Sequence, residues 1–346
     1  MTPRHLSRGV FVHPLGVHCD VGGDGPDGFL AGPDSSTSAD QCFLDGLQRA
    51  VGCGATLMDT ADSYGQGHSE RLIGRFLREH PAGLLHLSSK VGRLRGSAPH
   101  PYAGRHIHHQ FQQTLENLYV EELALYSLDS LDFGPGDRYL GSAIEQMRTL
   151  RQLGAIKAIG MRGPELSYGV SPAELTAYTE RFLYLFRLIQ PDVLWTPFNA
   201  LTLGVLLEGE NLLSFTARHG VGLVLAAPLA HGPVTDRGAR SQRQEPGSTA
   251  AALTSLPSLP SGPQAVREDF GGTLRTLTQL ALRAALQLAG HCIVVAGARN
   301  AGQARENFGS LSPSLTRAEL SLIDDIYSWV RAGLEDPQAQ RTRWSA

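Results

Sequence analysis

Lysine is nearly missing from this sequence: Lys90 and Lys157 are the only two among 30 lysines and arginines. An arbitrary cation here would be arginine, so a lysine at the end of an apolar run, as Lys90 is, stands out. The wealth of arginine, glycine, alanine and proline reads as high-GC codon usage and not as a binding signal. An excess of positive charge is missing too. The net charge is -3, which gives no electrostatic reason to expect a nucleic-acid partner. Cysteine is scarce. Cys19, Cys42, Cys53 and Cys292 form no CxxC pair and stand at no zinc spacing to histidine, so neither a disulfide framework nor a zinc module is expected. They read as small buried thiols in a reducing compartment. The run His106–His109 lacks a second ligand group at a fitting distance, and no metal is expected. No apolar run reaches about 18 residues, which argues against a membrane span. The N-terminal MTPRHLSRGV has no apolar core of a secretory signal; a cytoplasmic location is the expectation. Also missing is a GxGxxG after the first strand, which counts against a Rossmann fold.

What is present is a rhythm. Short apolar runs recur at Leu15–Cys19, Thr56–Asp59, Leu84–Ser89, Leu123–Ser127, Ile156–Met161, Val193–Thr196, Gly222–Ala226 and Cys292–Ala296. Helical patterns lie between them, among them Ala39–Val51, Ser69–Glu79, His109–Leu118, Gly141–Leu153, Leu207–His219 and Thr273–Ala289. Ser38, Ser69 and Ser171 each precede such a pattern as a plausible cap. Eight βα units predict an α/β fold of the (β/α)8 TIM-barrel type. A chain of 346 residues fits one such domain, with a core at about residues 12–331 and an extra C-terminal helix at Arg317–Arg331. Three stretches break the rhythm: Gly22–Ser38, Arg93–His108 and Gly232–Gly272. The last two follow strands three and seven, so both are expected as long loops on the C-terminal face.

That face is where a parallel barrel builds its site. Asp59 ends strand two, Tyr64 follows in the next turn, and Lys90 ends strand three. A lysine there needs a counter-ion, and Asp59 is the natural one. A tyrosine close to the lysine is expected to have its phenol pKa lowered, which suits a general acid for carbonyl reduction. The same residues also read as a structural ion pair with a packed tyrosine.

Longer motifs add to this. MDTADSYGQGHSERLIGRFL (58–77), LSSKVGR (87–93), AIKAIGM (155–161), PDVLWTPFNALT (191–202), GVGLVLAAPLAHG (220–232) and VVAGARNAGQARENFGSL (294–311) occur in order. Together they resemble the aldo-keto reductases. The resemblance implies NADPH across the barrel mouth and hydride transfer to a small-molecule carbonyl, or from an alcohol. Tyr64 would be the acid, Lys90 its partner and Asp59 the group that holds Lys90. Gly297 and Arg299 would meet the ribose and its 2′-phosphate. Gln303, Glu306 and Asn307 would meet the phosphate and adenine, with Pro228 and Leu229 contributing from the turn after strand seven.

The sequence departs from the family at the redox end. The usual histidine of strand four falls on Ser127, or on Leu128 if the register slips. The usual Ser–Asn pair after strand five is Arg162–Gly163, the strand-six Gln is Trp195, and the tyrosine that stacks on the nicotinamide is Ala226. Histidines available to replace the lost one are His100, His106, His108 and His109 after strand three and His231 after strand seven. Three functions stay open: an NADP(H)-dependent oxidoreductase for a sugar or specialised metabolite, a nucleotide-binding barrel using Asp59, Tyr64 and Lys90 for non-redox acid/base chemistry, and a weakly catalytic cofactor sensor. Neither a nucleic-acid partner nor a membrane is expected, and the sequence carries no signal of oligomeric state.

Overall fold

The computed structural model describes residues 2–21, 36–80, 85–165, 170–198, 202, 204–228, 277–311 and 314–321. An antiparallel hairpin, β1 (Arg4–Ser7) and β2 (Val10–Val12), opens the chain. Then come β3 (Leu15–His18), α1 (Ser36–Gly52), β4 (Leu57–Asp59), α2 (His68–Glu79), β5 (His86–Val91), α3 (Gly104–Leu118) and β6 (Leu123–Leu128). They are followed by α4 (Leu140–Gln152), β7 (Ile156–Arg162), α5 (Pro172–Ile189), β8 (Val193–Pro197), a two-residue pair β9 (Leu206–Leu207) and β10 (Glu210–Asn211), and α6 (Leu212–His219). The last are β11 (Gly222–Ala226), α7 (Leu277–Gln287), β12 (Cys292–Gly297) and α8 (Ala301–Phe308).

Strands β3 to β8, β11 and β12 close into a barrel in the order β11-β12-β3-β4-β5-β6-β7-β8, each parallel to its neighbours. These are the eight runs read from the sequence, and the fold is the (β/α)8 barrel they predict. Strand side chains alternate between two sides, and two apolar clusters follow. Leu57, Leu125, Ala158, Val193, Trp195, Val224, Ile293 and Val295 fill the barrel interior, together with Leu6, Val10 and Val12 of the hairpin. Met58, Leu87, Tyr126, Leu128, Ile159, Leu194, Leu225 and Val294 face outward and pack with the helices.

The hairpin was not legible as a plug, yet it closes the N-terminal end of the barrel. The Leu6 carbonyl lies against Gly222, the first residue of β11. Arg4 anchors the hairpin through hydrogen bonds of 2.6 Å to the carbonyls of Cys292 and Leu286. The opposite, C-terminal end is left for chemistry.

Several local expectations change. Ser171 caps α5 as expected, in a reciprocal capping box with Glu174 and with Pro172 at the first turn. Ser38 lies inside α1. Ser69 lies inside α2, whose cap is the left-handed Gly67, and its hydroxyl accepts from the Val21 amide at 2.9 Å. The stretch 93–108 is only partly loop, because α3 starts at Gly104 and takes His106 and His108 into a helix. What remains is pinned: the buried Tyr102 hydroxyl accepts from the Ser130 amide at 2.7 Å and donates to the Ser130 carbonyl at 2.9 Å. That joins the loops after β5 and β6. The stretch 232–272, Leu229, and all but the first residues of the helix expected at Arg317–Arg331 lie outside the described residues.

Helix α1 holds the turn between β12 and α8 through a glycine. A Cβ on Gly46 would meet the Ala298 carbonyl oxygen at 2.4 Å and the Asn300 nitrogen at 3.1 Å. Backbone sits on the other side, so the clash has no flexible group to absorb it. Gly46→Ala should therefore lower the free energy of unfolding in urea by about 1–3 kcal/mol; an unchanged midpoint would show that α1 does not approach the turn this closely.

Candidate active site

Asp59 is the meeting point of the C-terminal mouth. It ends β4 and is fully buried. Its Oδ1 accepts from Ser88 Oγ at 2.7 Å. Its Oδ2 accepts from Lys90 Nζ at 2.8 Å and Trp195 Nε1 at 2.9 Å, and lies 3.1 Å from His18 Nδ1. Burial alone would push the Asp59 carboxyl up. The Lys90 charge and the His18 hydrogen bond outweigh it and hold the group at about 2.

Lys90 is equally buried and sits within β5, not beyond its end. Its ammonium also donates to the Thr60 carbonyl at 2.6 Å. It lies 4.6 Å from the Trp195 ring and 5.2 Å from the Tyr64 ring. A cation between two aromatic faces, bonded to a carboxylate and a carbonyl, has its lost hydration replaced by protein groups.

Tyr64 stands where expected, but its acidity goes the other way. Burial, followed by the carboxylates of Asp59, Asp129 and Asp20, raises the phenol well above its ordinary range; Arg162 opposes them. The expected lowering fails because the burial of the phenol outweighs the one opposing charge, that of Arg162. Tyr64 is thus a phenol that keeps its proton.

Ser127, Trp195 and Arg162, read from the sequence as departures from the family, lie on β6, β8 and β7 beside this cluster. Ser127 pairs with Lys90 on one side and with Gly160 on the other. A Cβ on Gly160 would fall 1.9 Å from Ser127 Oγ. Ser127 is therefore the inward position of β6, while Leu128 packs in the outer cluster. The Ser127 hydroxyl is buried and has no hydrogen-bond partner among the described residues. Trp195 takes the place opposite and caps Asp59. Arg162, at the end of β7, has its guanidinium 5.4 Å from the Trp195 ring and donates to Asp129 at 3.0 Å and to Glu165. Arg93 donates to the other oxygen of Asp129 at 2.6 Å. Burial alone would lower the Arg162 pKa, but Asp129 and Glu165 raise it. Ala226, paired with Pro197, is small and buried.

The β12–α8 turn has a different character. Asn300 caps α8 by accepting from the Gln303 amide at 2.9 Å. Gln303 Oε1 accepts from the Arg299 amide at 2.8 Å, and Asn307 donates to the Gly297 carbonyl at 2.9 Å. Gln303 and Asn307 thus hold the turn in shape. Gly297 and Arg299 are exposed, and a Cβ on Gly297 would meet open space. An exposed guanidinium beside a helix N-terminus and an open backbone suit the phosphate end of a dinucleotide. Glu306 is half-buried on the same helix, and Pro228 is buried after β11.

Among the described residues, no histidine expected as a replacement is bonded to Asp59. His100 stacks on Tyr139 at 4.6 Å, and His106 Nε2 bonds the Leu94 carbonyl at 2.8 Å. His231 lies outside the described residues. The histidine at the cluster is His18, which sequence reasoning passed over. Its signal was present: His18 ends the first barrel strand as Asp59 ends the second, and the two are register partners.

Comparison with known proteins gives the setting. The model of the aldo/keto reductase family matches residues 30–328. The L-galactose dehydrogenase of Arabidopsis thaliana is 24% identical over 319 residues, which cover 90% of this chain and 89% of that protein. The solved glycerol dehydrogenase of Gluconobacter oxydans superposes with a TM-score of 0.68 at 19% identity, over 95% of each chain. An aldo/keto reductase of Klebsiella pneumoniae, solved with NADP and acetate, gives a TM-score of 0.61 at 18% identity, over 94% of this chain and 95% of that one. The structural likenesses show the barrel, and the family match extends over most of the sequence: the chain belongs to the aldo/keto reductase family.

Proposed function

We propose that the chain is an NADP(H)-dependent oxidoreductase interconverting a small carbonyl compound and its alcohol, with Tyr64 as the general acid. The observation that carries this reading is the buried Asp59–Lys90 pair with the protonated phenol of Tyr64 against it. A bound nicotinamide dinucleotide supplies the hydride. The chain's residues handle the proton and the geometry. Tyr64 holds a proton at Oη for the substrate oxygen. Asp59 keeps Lys90 charged and fixed beneath the tyrosine ring. Arg299 reads the 2′-phosphate, with Gly297 giving the adenosine half close access to the backbone, and Glu306 stands near the adenine. The complex of the Klebsiella pneumoniae relative with NADP agrees with this cofactor. The names of the L-galactose and glycerol dehydrogenases favour a polyhydroxylated substrate, a sugar or polyol.

One observation favours a second reading, in which the barrel binds a nucleotide and performs non-redox acid/base chemistry. Arg162 and Trp195, where the family holds the nicotinamide carboxamide, are already engaged with Asp129, Glu165 and Asp59. Titration with NADPH followed by turnover on an aldehyde and aldose panel separates the two. Binding with oxidation of NADPH supports the oxidoreductase; binding without oxidation on any carbonyl moves the assignment to the second.

Two substitutions test the parts. Tyr64→Phe should lower kcat for carbonyl reduction by about 100-fold or more and leave the NADPH Kd within twofold. Full activity in that variant would remove Tyr64 as the acid. Arg299→Ala should weaken NADPH binding by roughly 10- to 100-fold, the worth of a hydrogen-bonded charge pair, and leave NADH nearly unaffected. Equal weakening of both would place Arg299 away from the 2′-phosphate.

A further inference from the structure

The end of β3 presents a carboxylate that the chemistry above leaves unused. Along this strand Leu15, Val17 and Cys19 pack in the outer cluster, while a Cβ on Gly16 would meet Leu57 and Val295 of the interior. Alternation then turns His18 and Asp20 inward, and His18 does lie 3.1 Å from Asp59. The backbone on both sides of Asp20 is tied to the segment that carries Tyr64. The Cys19 amide donates to the Asp59 carbonyl at 2.7 Å, and the Cys19 carbonyl accepts from Thr60 Oγ1 at 3.1 Å. The Val21 amide donates to Ser69 Oγ at 2.9 Å, and a Cβ on Gly65 would meet the Val21 carbonyl oxygen at 3.0 Å. Asp20 is thus fixed at the mouth on the side of Tyr64, half-buried.

Among the described residues, each lysine and arginine of this mouth is already paired. Lys90 meets Asp59, Arg93 and Arg162 share Asp129, and Arg162 also meets Glu165, so three cations stand against three carboxylates. Burial pushes the Asp62 carboxyl well above its ordinary range and toward the neutral form. Asp20 belongs to none of these pairs, and its Oδ1 is buried with no hydrogen-bond partner among the described residues. Its charge reaches Tyr64, where it joins Asp59 and Asp129 in disfavouring the phenolate. The sequence directly after it, residues 22–35, adds Asp24, Asp27 and Asp34 and no lysine or arginine. A buried acceptor without a donor is costly until something supplies one. A positively charged ligand group supplies both the donor and the missing charge; an anion supplies neither.

We propose that Asp20 sets the charge of the substrate: it receives a protonated amine, so that the site takes amino-bearing carbonyl compounds and their alcohols in preference to acidic ones. The proposal rests on the oxidoreductase reading above and narrows its substrate class. The ammonium donates to Oδ1 and offsets the unpaired carboxylate, while Tyr64 holds its proton for the carbonyl oxygen. A substrate carboxylate would instead meet Asp20 with Asp59 and Asp129 behind it. Arg162, the cation that acts on Tyr64, is committed to Asp129 and Glu165 and is not free to receive that carboxylate. An amino sugar combines the required charge with the polyhydroxylated character favoured above.

NADPH-dependent reduction of 4-trimethylammoniobenzaldehyde, 4-nitrobenzaldehyde and 4-carboxybenzaldehyde by wild type, Asp20→Asn and Asp20→Glu tests this, because the probes differ chiefly in charge. Comparing ratios of kcat/KM between proteins cancels the intrinsic reactivity of each aldehyde. The ratio of cationic to anionic probe is expected to fall about 10-fold or more in Asp20→Asn and to hold in Asp20→Glu. The wild-type preference should also shrink at high ionic strength. Independently of turnover, benzyltrimethylammonium should bind the wild-type NADP complex about 10-fold more tightly than benzoate, read by protein fluorescence, and Asp20→Asn should lose that preference. Equal ratios in wild type and Asp20→Asn, or a wild type that binds benzoate as tightly as the cation, would overturn the role of Asp20 alone. A wild type that reduces none of the aldehydes yet still prefers the cation would overturn the oxidoreductase reading and leave Asp20 as a cation-receiving group.

Discussion

Two charges buried at the mouth of the barrel, Asp59 and Lys90, hold the site together. Neither side chain reaches solvent, so each depends on the other and on the groups that replace water. For Lys90 these are the Thr60 carbonyl and the faces of Tyr64 and Trp195. For Asp59 they are Ser88, Trp195 and His18. Removing one partner of a buried pair leaves an uncompensated charge, which typically costs far more than the pair contributes. The residues that contact the ion pair come from β3, β4, β5 and β8 and from the turn after β4, so one interaction ties down half of the mouth. Lys90 meets the carboxylate and both rings with a single compact ammonium.

Ser127, Arg162 and Trp195, read from the sequence as departures from the family, surround that pair. Trp195 donates its indole N–H to Asp59, while its face receives both Lys90 and Arg162. Arg162 is balanced by Asp129 and Glu165, and Asp129 in turn holds Arg93 at the start of the loop after β5. Ser127 leaves a small buried hydroxyl, and Gly160 beside it leaves no Cβ to displace it. The β12–α8 turn, by contrast, keeps an internal hydrogen-bonded frame through Asn300, Gln303, Asn307 and the Arg299 amide, with Arg299 itself exposed.

Much of this was legible beforehand because it is local. The barrel strands follow from apolar runs at regular spacing, and the eight expected runs are the eight that close. The Asp59–Lys90 contact could be foreseen because the ends of adjacent parallel strands must meet. Three features were not legible, each for a physical reason. The hairpin of β1 and β2 is too short to announce itself, and its role as a plug depends on Leu6 meeting Gly222, more than two hundred residues away in sequence. The direction of the Tyr64 shift depends on a sum over Asp59, Asp129, Asp20 and Arg162, which only the folded arrangement supplies. His18 was overlooked because attention went to loops rich in histidine, whereas its importance comes from strand register with Asp59.

Whether the Asp59 carboxylate anchors the mouth can be measured by urea unfolding of Asp59→Asn beside the double variant Asp59→Asn with Lys90→Met. Removing the carboxylate alone should cost on the order of 3–5 kcal/mol by stranding the buried ammonium, and removing the ammonium as well should restore most of that loss. A single variant within about 1 kcal/mol of wild type, in the range of an exposed ion pair, would contradict the account.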